Sequence, residues 1–213
     1  MKTFILEGNY PSYNIPTLFP FEKKGDGTPA TLPCPLVCVP DTTHTLRGKP
    51  FFIPDGIRDC RIQLHPTLRI SRLGRHIAER FAYRYYDALT LCATFTDIEL
   101  LRQLRSAGLP WDTAKGFDGS VCVGSFTSTE ALVANGEDAT FRLLINGEVV
   151  QSASLADMLC NAEHIIAAIS NCYKLCDGDL ILCGTPSEGV SVSIDSQVEA
   201  TLAGITLLKF NIK

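Results

Sequence analysis

Chemistry in this chain could sit in a few places. Gly184-Thr185-Pro186 is a tight loop closing the apolar run Leu180-Ile181-Leu182, and functional residues gather on such loops. His65 stands in a His-x-Thr pair, which offers one imidazole to a transition metal, with His44 and His76 as distant candidates. One imidazole without a neighbouring carboxylate makes a poor metal site, and a hydrogen-bonded strand histidine is expected instead. His164, inside an apolar helical run, reads as structural. Cysteine is abundant, with nine in the chain. Cys34 with Cys38, and Cys172 with Cys176, lack the Cys-x-x-Cys spacing of a zinc ribbon, and no His-x-x-x-His accompanies them. Buried or semi-buried free thiols in a reducing cytosol are expected.

These residues must be held by the elements around them. Residues 141–145 form a β-rich run, Asn146-Gly147 suits both centres of a type I′ turn, and residues 148–151 return, so a hairpin is predicted. Ser154 precedes Asp157 in capping-box spacing, and Leu155, Met158, Leu159, Ala162, Ile165, Ile166 and Ile169 recur at helical spacing. That pattern predicts one helix of about four turns. Residues 61–64, 68–70 and 88–94 read as strands, with a helix over 78–86 between the last two. A second helix is expected over 96–108, capped by Thr96 and Glu99 and ended by Gly108. Residues 1–54 read as a loop- and strand-rich part ahead of a core over 55–213, in a single domain. The fold class is α+β and β-rich.

Composition excludes some roles. The chain has 213 residues, 46% hydrophobic and 20% charged, with a net charge of −4 and a pI near 5.6. Lys and Arg are scattered apart from a modest cluster between Arg69 and Arg84, so nucleic acid is not an expected partner. Residues 1–7 lack an apolar run long enough for a signal peptide, and no segment approaches the ~20 apolar residues of a membrane span. A cytoplasmic protein is expected.

The order of motifs resembles the fumarylacetoacetate hydrolase superfamily, which includes acylpyruvate hydrolases and 2-hydroxyhepta-2,4-diene-1,7-dioate isomerases. Asn9-Tyr10, Lys115-x-Phe117-Asp118, Gly124-Ser125-Phe126, Asn146-Gly147, Met158, Gly178-Asp179, Gly184-Thr185-Pro186 and Gly189-Val190 carry the resemblance in colinear order. It implies a mixed β-sandwich roll with the site at one mouth, and a homodimer. It also implies a divalent cation, Mg²⁺ or Mn²⁺, chelated by the 2-oxo-carboxylate end of the substrate. Such hard cations need carboxylate oxygens.

Placed on this sequence, the family's Glu-x-Glu falls on His65 and Thr67, and its later Asp falls on Thr94, so all three carboxylates are missing. Cys183 stands where the family usually has Thr. A shifted register could bring Asp97 toward the metal position, although Asp97 and Glu99 read better as acids of a first helical turn. The family's water-orienting His-x-x-Glu falls on Tyr13 and Pro16, and its substrate-binding Arg and Gln fall on Ile98 and Leu101. What the resemblance retains is Lys115 as the catalytic candidate, and Lys115, Asp118, Gly184, Thr185 and Pro186 as substrate-binding candidates. No cofactor is expected unless the site is remodelled for Mg²⁺ or Mn²⁺. Two functions follow: a degenerate homologue binding a small anionic 2-oxo acid or a partner, or an active hydrolase, isomerase or decarboxylase with a remodelled site.

Overall fold

A computed structural model describes residues 1–13, 32, 34–45, 48–128 and 139–213. Among them two sheets pack face to face, with few helices. The larger sheet runs β2 (Leu36–Pro40), β1 (Lys2–Leu6), β9 (Leu180–Leu182), β4 (Cys60–Ile70), β5 (Tyr86–Asp97), β6 (Val121–Val123) and β3 (His44–Thr45), with β10 (Val190–Ser191) beside β4. The smaller runs β12 (Ile205–Asn211), β11 (Gln197–Leu202), β7 (Thr140–Ile145) and β8 (Glu148–Ser154). This is the β-rich α+β roll expected. The β7–β8 hairpin turns at Asn146-Gly147, both at positive φ, as a type I′ turn requires.

The two segments read as separate strands at 61–64 and 68–70 are one strand, β4, paired along its whole length with β5. Pro66 sits in the middle of it. Its carbonyl accepts from Cys183 N at 2.8 Å, so the side of the strand lacking an N–H faces the end of β9, where the ladder is already giving way to the Gly184 loop. Alternation then divides the β4–β5 ladder. Ile62, Leu64, Leu91, Ala93 and Phe95 join the apolar core with Phe141, Leu143, Val198 and Ala200 of the smaller sheet. Phe51 stacks on Phe95, with centroids 3.5 Å apart. The opposite face carries Gln63, His65, Thr67, Thr90, Cys92, Thr94 and Thr96, all buried.

Three expected helices come out differently. The run expected at 78–86 is a 3₁₀ helix, Glu79–Arg84, closed by bonds such as Tyr85 N to Ala82 O. The helix expected from Thr96 is α1 (Ile98–Ser106), and its cap is Asp97, whose carboxylate accepts from Leu100 N at 3.1 Å. Thr96 remains in β5, turned inward. The long run from Leu155 is broken in two. Ser154 and Asp157 do make a capping box, but on a short 3₁₀ turn, Leu155–Asp157, and α2 (Ala162–Cys172) starts afresh from an Asn161 cap. The cause is tertiary. Leu159 N and Cys160 N donate to the Asn9 carbonyl and side chain at 2.9 and 2.8 Å, which draws that backbone out of a helix.

All nine cysteines are free thiols; Cys34, Cys60, Cys92, Cys122, Cys160 and Cys183 are buried, and Cys38 and Cys172 are exposed. Burial raises the six buried thiols, Cys92 and Cys183 to about 12, so they stay protonated and unreactive. Titration of the folded protein with an aromatic disulfide should therefore modify Cys38 and Cys172 readily, Cys176 more slowly, and the remainder only after unfolding. Fast labelling of Cys92 or Cys183 would contradict this packing.

Candidate functional site

The site builds outward from the polar face of the β4–β5 ladder. Gln63 faces Thr94 across the ladder, and His65 faces Cys92. His65 Nε2 meets Thr94 Oγ1 at 3.0 Å, and Thr67 Oγ1 donates to the His65 carbonyl at 3.1 Å. Thus His65, Thr67 and Thr94, singled out by motif order, share one face, with His65 bonded to Thr94 through its ring and to Thr67 through its carbonyl. Burial, then the Lys115 charge, pushes the His65 imidazole down to about 3, so it is neutral at pH 7.

Lys115 follows the 3₁₀ turn Asp112–Ala114, whose geometry is closed by Lys115 N donating to the Asp112 carbonyl at 3.0 Å. From there its side chain enters the ladder's polar face and is only 1% exposed. Its ammonium donates to Gln63 Oε1 at 2.7 Å and Thr96 Oγ1 at 2.8 Å. Glu7 Oε1 lies 2.8 Å away, an ion pair by distance that lacks hydrogen-bond alignment, and the Glu7 side chain is also 1% exposed. A buried charge needs such a partner, because leaving it alone in the interior is very costly. Asp118, by contrast, is exposed, with no ion pair among the described residues.

The Gly184 loop packs beside this ladder, against the Gly8-Asn9 turn. Gly184 has φ +116°, and a Cβ there would fall 2.2 Å from the Gly8 carbonyl oxygen, so only glycine fits. Thr185 is fully buried; its N–H donates to Gly8 O at 2.7 Å, and its hydroxyl accepts from Gln151 Nε2 at 3.3 Å. The Pro186 carbonyl accepts from Ser12 Oγ at 2.9 Å. Asn9 ties this junction together from a left-handed conformation, φ 75°, with Nδ2 donating to the carbonyls of Cys183 and Cys160 at 2.7 and 3.1 Å. Ile98 and Leu101 are buried in the packing of α1, Tyr13 is described, and Pro16 lies outside the described residues.

Charged side chains flank this region. Glu188 pairs with Arg61 at 2.9 Å and with Arg102 at 3.3 Å. Burial, then the charge of Glu7, pushes the Tyr13 hydroxyl up to about 12, against the opposing influence of Arg105. Arg105 stacks over Trp111, 4.5 Å from the ring centroid. Arg61 Nε and Arg105 Nη2 are buried N–H groups without a hydrogen-bond partner. Glu7, Gln63, Thr96 and these arginines were missed by motif reading. Two signals were present: an acid ending the apolar run Phe4-Ile5-Leu6, and polar residues alternating along both strands.

A family model described as fumarylacetoacetate (FAA) hydrolase C-terminal matches residues 23–213. The chain belongs to that family. It is 28% identical to a mitochondrial oxaloacetate tautomerase of Mus musculus over 178 residues, covering 84% of this chain and 80% of the relative. A mitochondrial oxaloacetate tautomerase of Arabidopsis thaliana is also 28% identical, over 82% of this chain and 78% of the relative. The fold matches a fumarylpyruvate hydrolase from Pseudomonas aeruginosa, solved in complex with Mn²⁺ and pyruvate, at a TM-score of 0.83. That match has 18% identity and covers 100% of this chain and 89% of the other.

A divalent cation does not fit the side chains on the ladder face. Thr67 and Thr94 offer only neutral hydroxyls, His65 offers one imidazole already engaged through Nε2, and the neighbouring carboxylate, Glu7, is paired with Lys115. Among the described residues no group of three or more His, Cys, Asp or Glu side chains could hold a metal.

Two measurements test this geometry. Asn9→Ala removes three buried side-chain bonds and forces alanine into a left-handed conformation, so it should cost about 3 kcal/mol or more in chemical denaturation. Asn9→Gly, which relieves the backbone, should cost less; equal losses would mean the conformation is not strained. For His65, the folded pKa lies below the unfolded value of 6.5, so the unfolded chain takes up the proton first. Stability should fall as pH drops below 6.5 toward about 3, with a slope from this group of up to ~1.4 kcal/mol per pH unit. His65→Gln should flatten the decline between about pH 6 and 4, and parallel curves would refute the assignment.

Proposed function

We propose that this family member binds a small anionic 2-oxo acid without a divalent cation, and does not carry out cation-dependent turnover. The observation that carries the reading is the ammonium of Lys115, buried and ringed by Glu7, Gln63 and Thr96 where a cation-dependent site would need free carboxylates. Lys115 is committed to the protein's own groups, so it is not free to hold a substrate carboxylate as the sequence suggests. The unpartnered Nη2 N–H of Arg105 beside Trp111 supports anion binding there instead, since a carboxylate would satisfy a donor that burial otherwise leaves unpaired, whereas Arg61 is already held by Asp59 and Glu188.

A second reading has its own support. Relatives named oxaloacetate tautomerase align over 84% of the chain, which favours an active enzyme on 2-oxo acids with a remodelled site. A cation contributes several kcal/mol of transition-state stabilisation, and each 1.36 kcal/mol is about tenfold in rate. Turnover without it should therefore be lower by orders of magnitude.

Thermal unfolding with oxalate, a pyruvate-enolate mimic, and with Mn²⁺ or Mg²⁺ separates the two. Oxalate alone should raise the midpoint, by about 2.7 kcal/mol of stability at a hundredfold excess over its dissociation constant. Arg105→Ala should abolish the shift. A shift that needs the cation, or oxaloacetate tautomerisation that EDTA abolishes, would replace this reading with the enzymatic one. The converse experiment restores carboxylates: a His65→Glu, Thr67→Glu, Thr94→Asp variant should be destabilised alone and recover on adding Mn²⁺. If it folds and ignores Mn²⁺, these three positions do not correspond to the family's ligands.

A further inference from the structure

The three oxygens around Lys115 Nζ are a carboxylate, an amide carbonyl and a hydroxyl, at 2.8, 2.7 and 2.8 Å. One anionic and two neutral oxygens converging on a point balance a single positive charge and accept its N–H donors. They come from three places in the large sheet: Glu7 directly after β1, Gln63 in β4 and Thr96 in β5. β1 does not pair with β4; β9 lies between them. The cation at the centre is thus a tie across the sheet face as well as a neutralised charge. The Gln63 amide is also held in place, since its Nε2 donates to the Ser187 carbonyl at 2.9 Å and so orients its oxygen toward the ammonium.

We propose that Glu7, Gln63 and Thr96 form a monovalent-cation site whose resident ion is the chain's own Lys115 ammonium, and that this tethered ion substitutes for the divalent cation of a metal-dependent site. The substitution for a metal rests on the cation-free reading above; the existence of the cage does not. If the lysine side chain is cut back, the cage remains and should accept a free ammonium of similar size.

Lys115→Ala is the test, read by thermal unfolding in ammonium or methylammonium chloride, with choline chloride at equal ionic strength as the control. The variant should melt roughly 10 °C below the parent, because it strands a buried carboxylate. Methylammonium should restore several degrees in a saturable manner, choline should not, and the parent should respond to neither. Adding Glu7→Gln to Lys115→Ala should remove the rescue. Identical melting of a folded Lys115→Ala in methylammonium and choline would overturn the proposal. Should Lys115→Ala fail to fold, Lys115→Met keeps the apolar stem. Lys115→Met with Glu7→Gln should then be more stable than Lys115→Met alone, and a single variant as stable as the double would likewise overturn it. A Mn²⁺ response of the parent would defeat the cation-free function, while leaving the methylammonium result to decide the cage.

Discussion

An ammonium group that is 1% exposed constrains everything placed around it. Lys115 cannot be buried without oxygens on several sides, and those oxygens must come from elements distant in sequence. Glu7 supplies the countercharge from the end of β1, which requires β1 to run parallel to β9 and so alongside the ladder that carries Gln63 and Thr96. The Gly8-Asn9 turn then has to double back at once. It does so in a left-handed conformation held by bonds to the Gly184 loop and the segment before α2. The mouth of the roll is thus organised by one desolvated charge and one asparagine-centred junction.

Much of this was legible in the sequence at the level of elements. Asn146-Gly147, between two β-rich runs, determines a hairpin locally, since few other residue pairs accept positive φ twice. Lys115 and the Gly184-Thr185-Pro186 loop were recognisable by motif. The helices were read less well where a tertiary bond outcompeted local spacing. Nothing within residues 155–169 announces that Asn9 will claim the N–H groups of Leu159 and Cys160. Likewise Thr96 and Glu99 have capping-box spacing, but Asp97 is nearer the helix start and carries the cap, leaving Thr96 to meet Lys115.

The candidate site was harder to read because its decisive residue lies outside the motifs that mark the family. Glu7 ends a strand of buried apolar residues, and an acid in that place ordinarily signals an exposed strand end. Only the fold brings it to Lys115, 108 positions later, and only then does the pattern of threonines and His65 along the ladder acquire a common explanation. Motif reading identifies what is absent from a site more readily than what has replaced it.

The charges here make electrostatic sense only as a set. The Lys115 ammonium and the Glu7 carboxylate sum to zero, so this buried group carries no net charge. Carboxylates retained on the ladder without a metal would repel one another in a region that water cannot reach. A divalent cation retained beside the Lys115 ammonium, with Glu7 alone to share, would be just as costly. Neutral side chains at His65, Thr67 and Thr94 avoid both penalties, and burial first, then the Lys115 ammonium, keeps the His65 imidazole uncharged. The pairing of Lys115 with Glu7 and the neutral side chains along the ladder are therefore two aspects of one arrangement: this part of the interior is kept neutral by the chain itself.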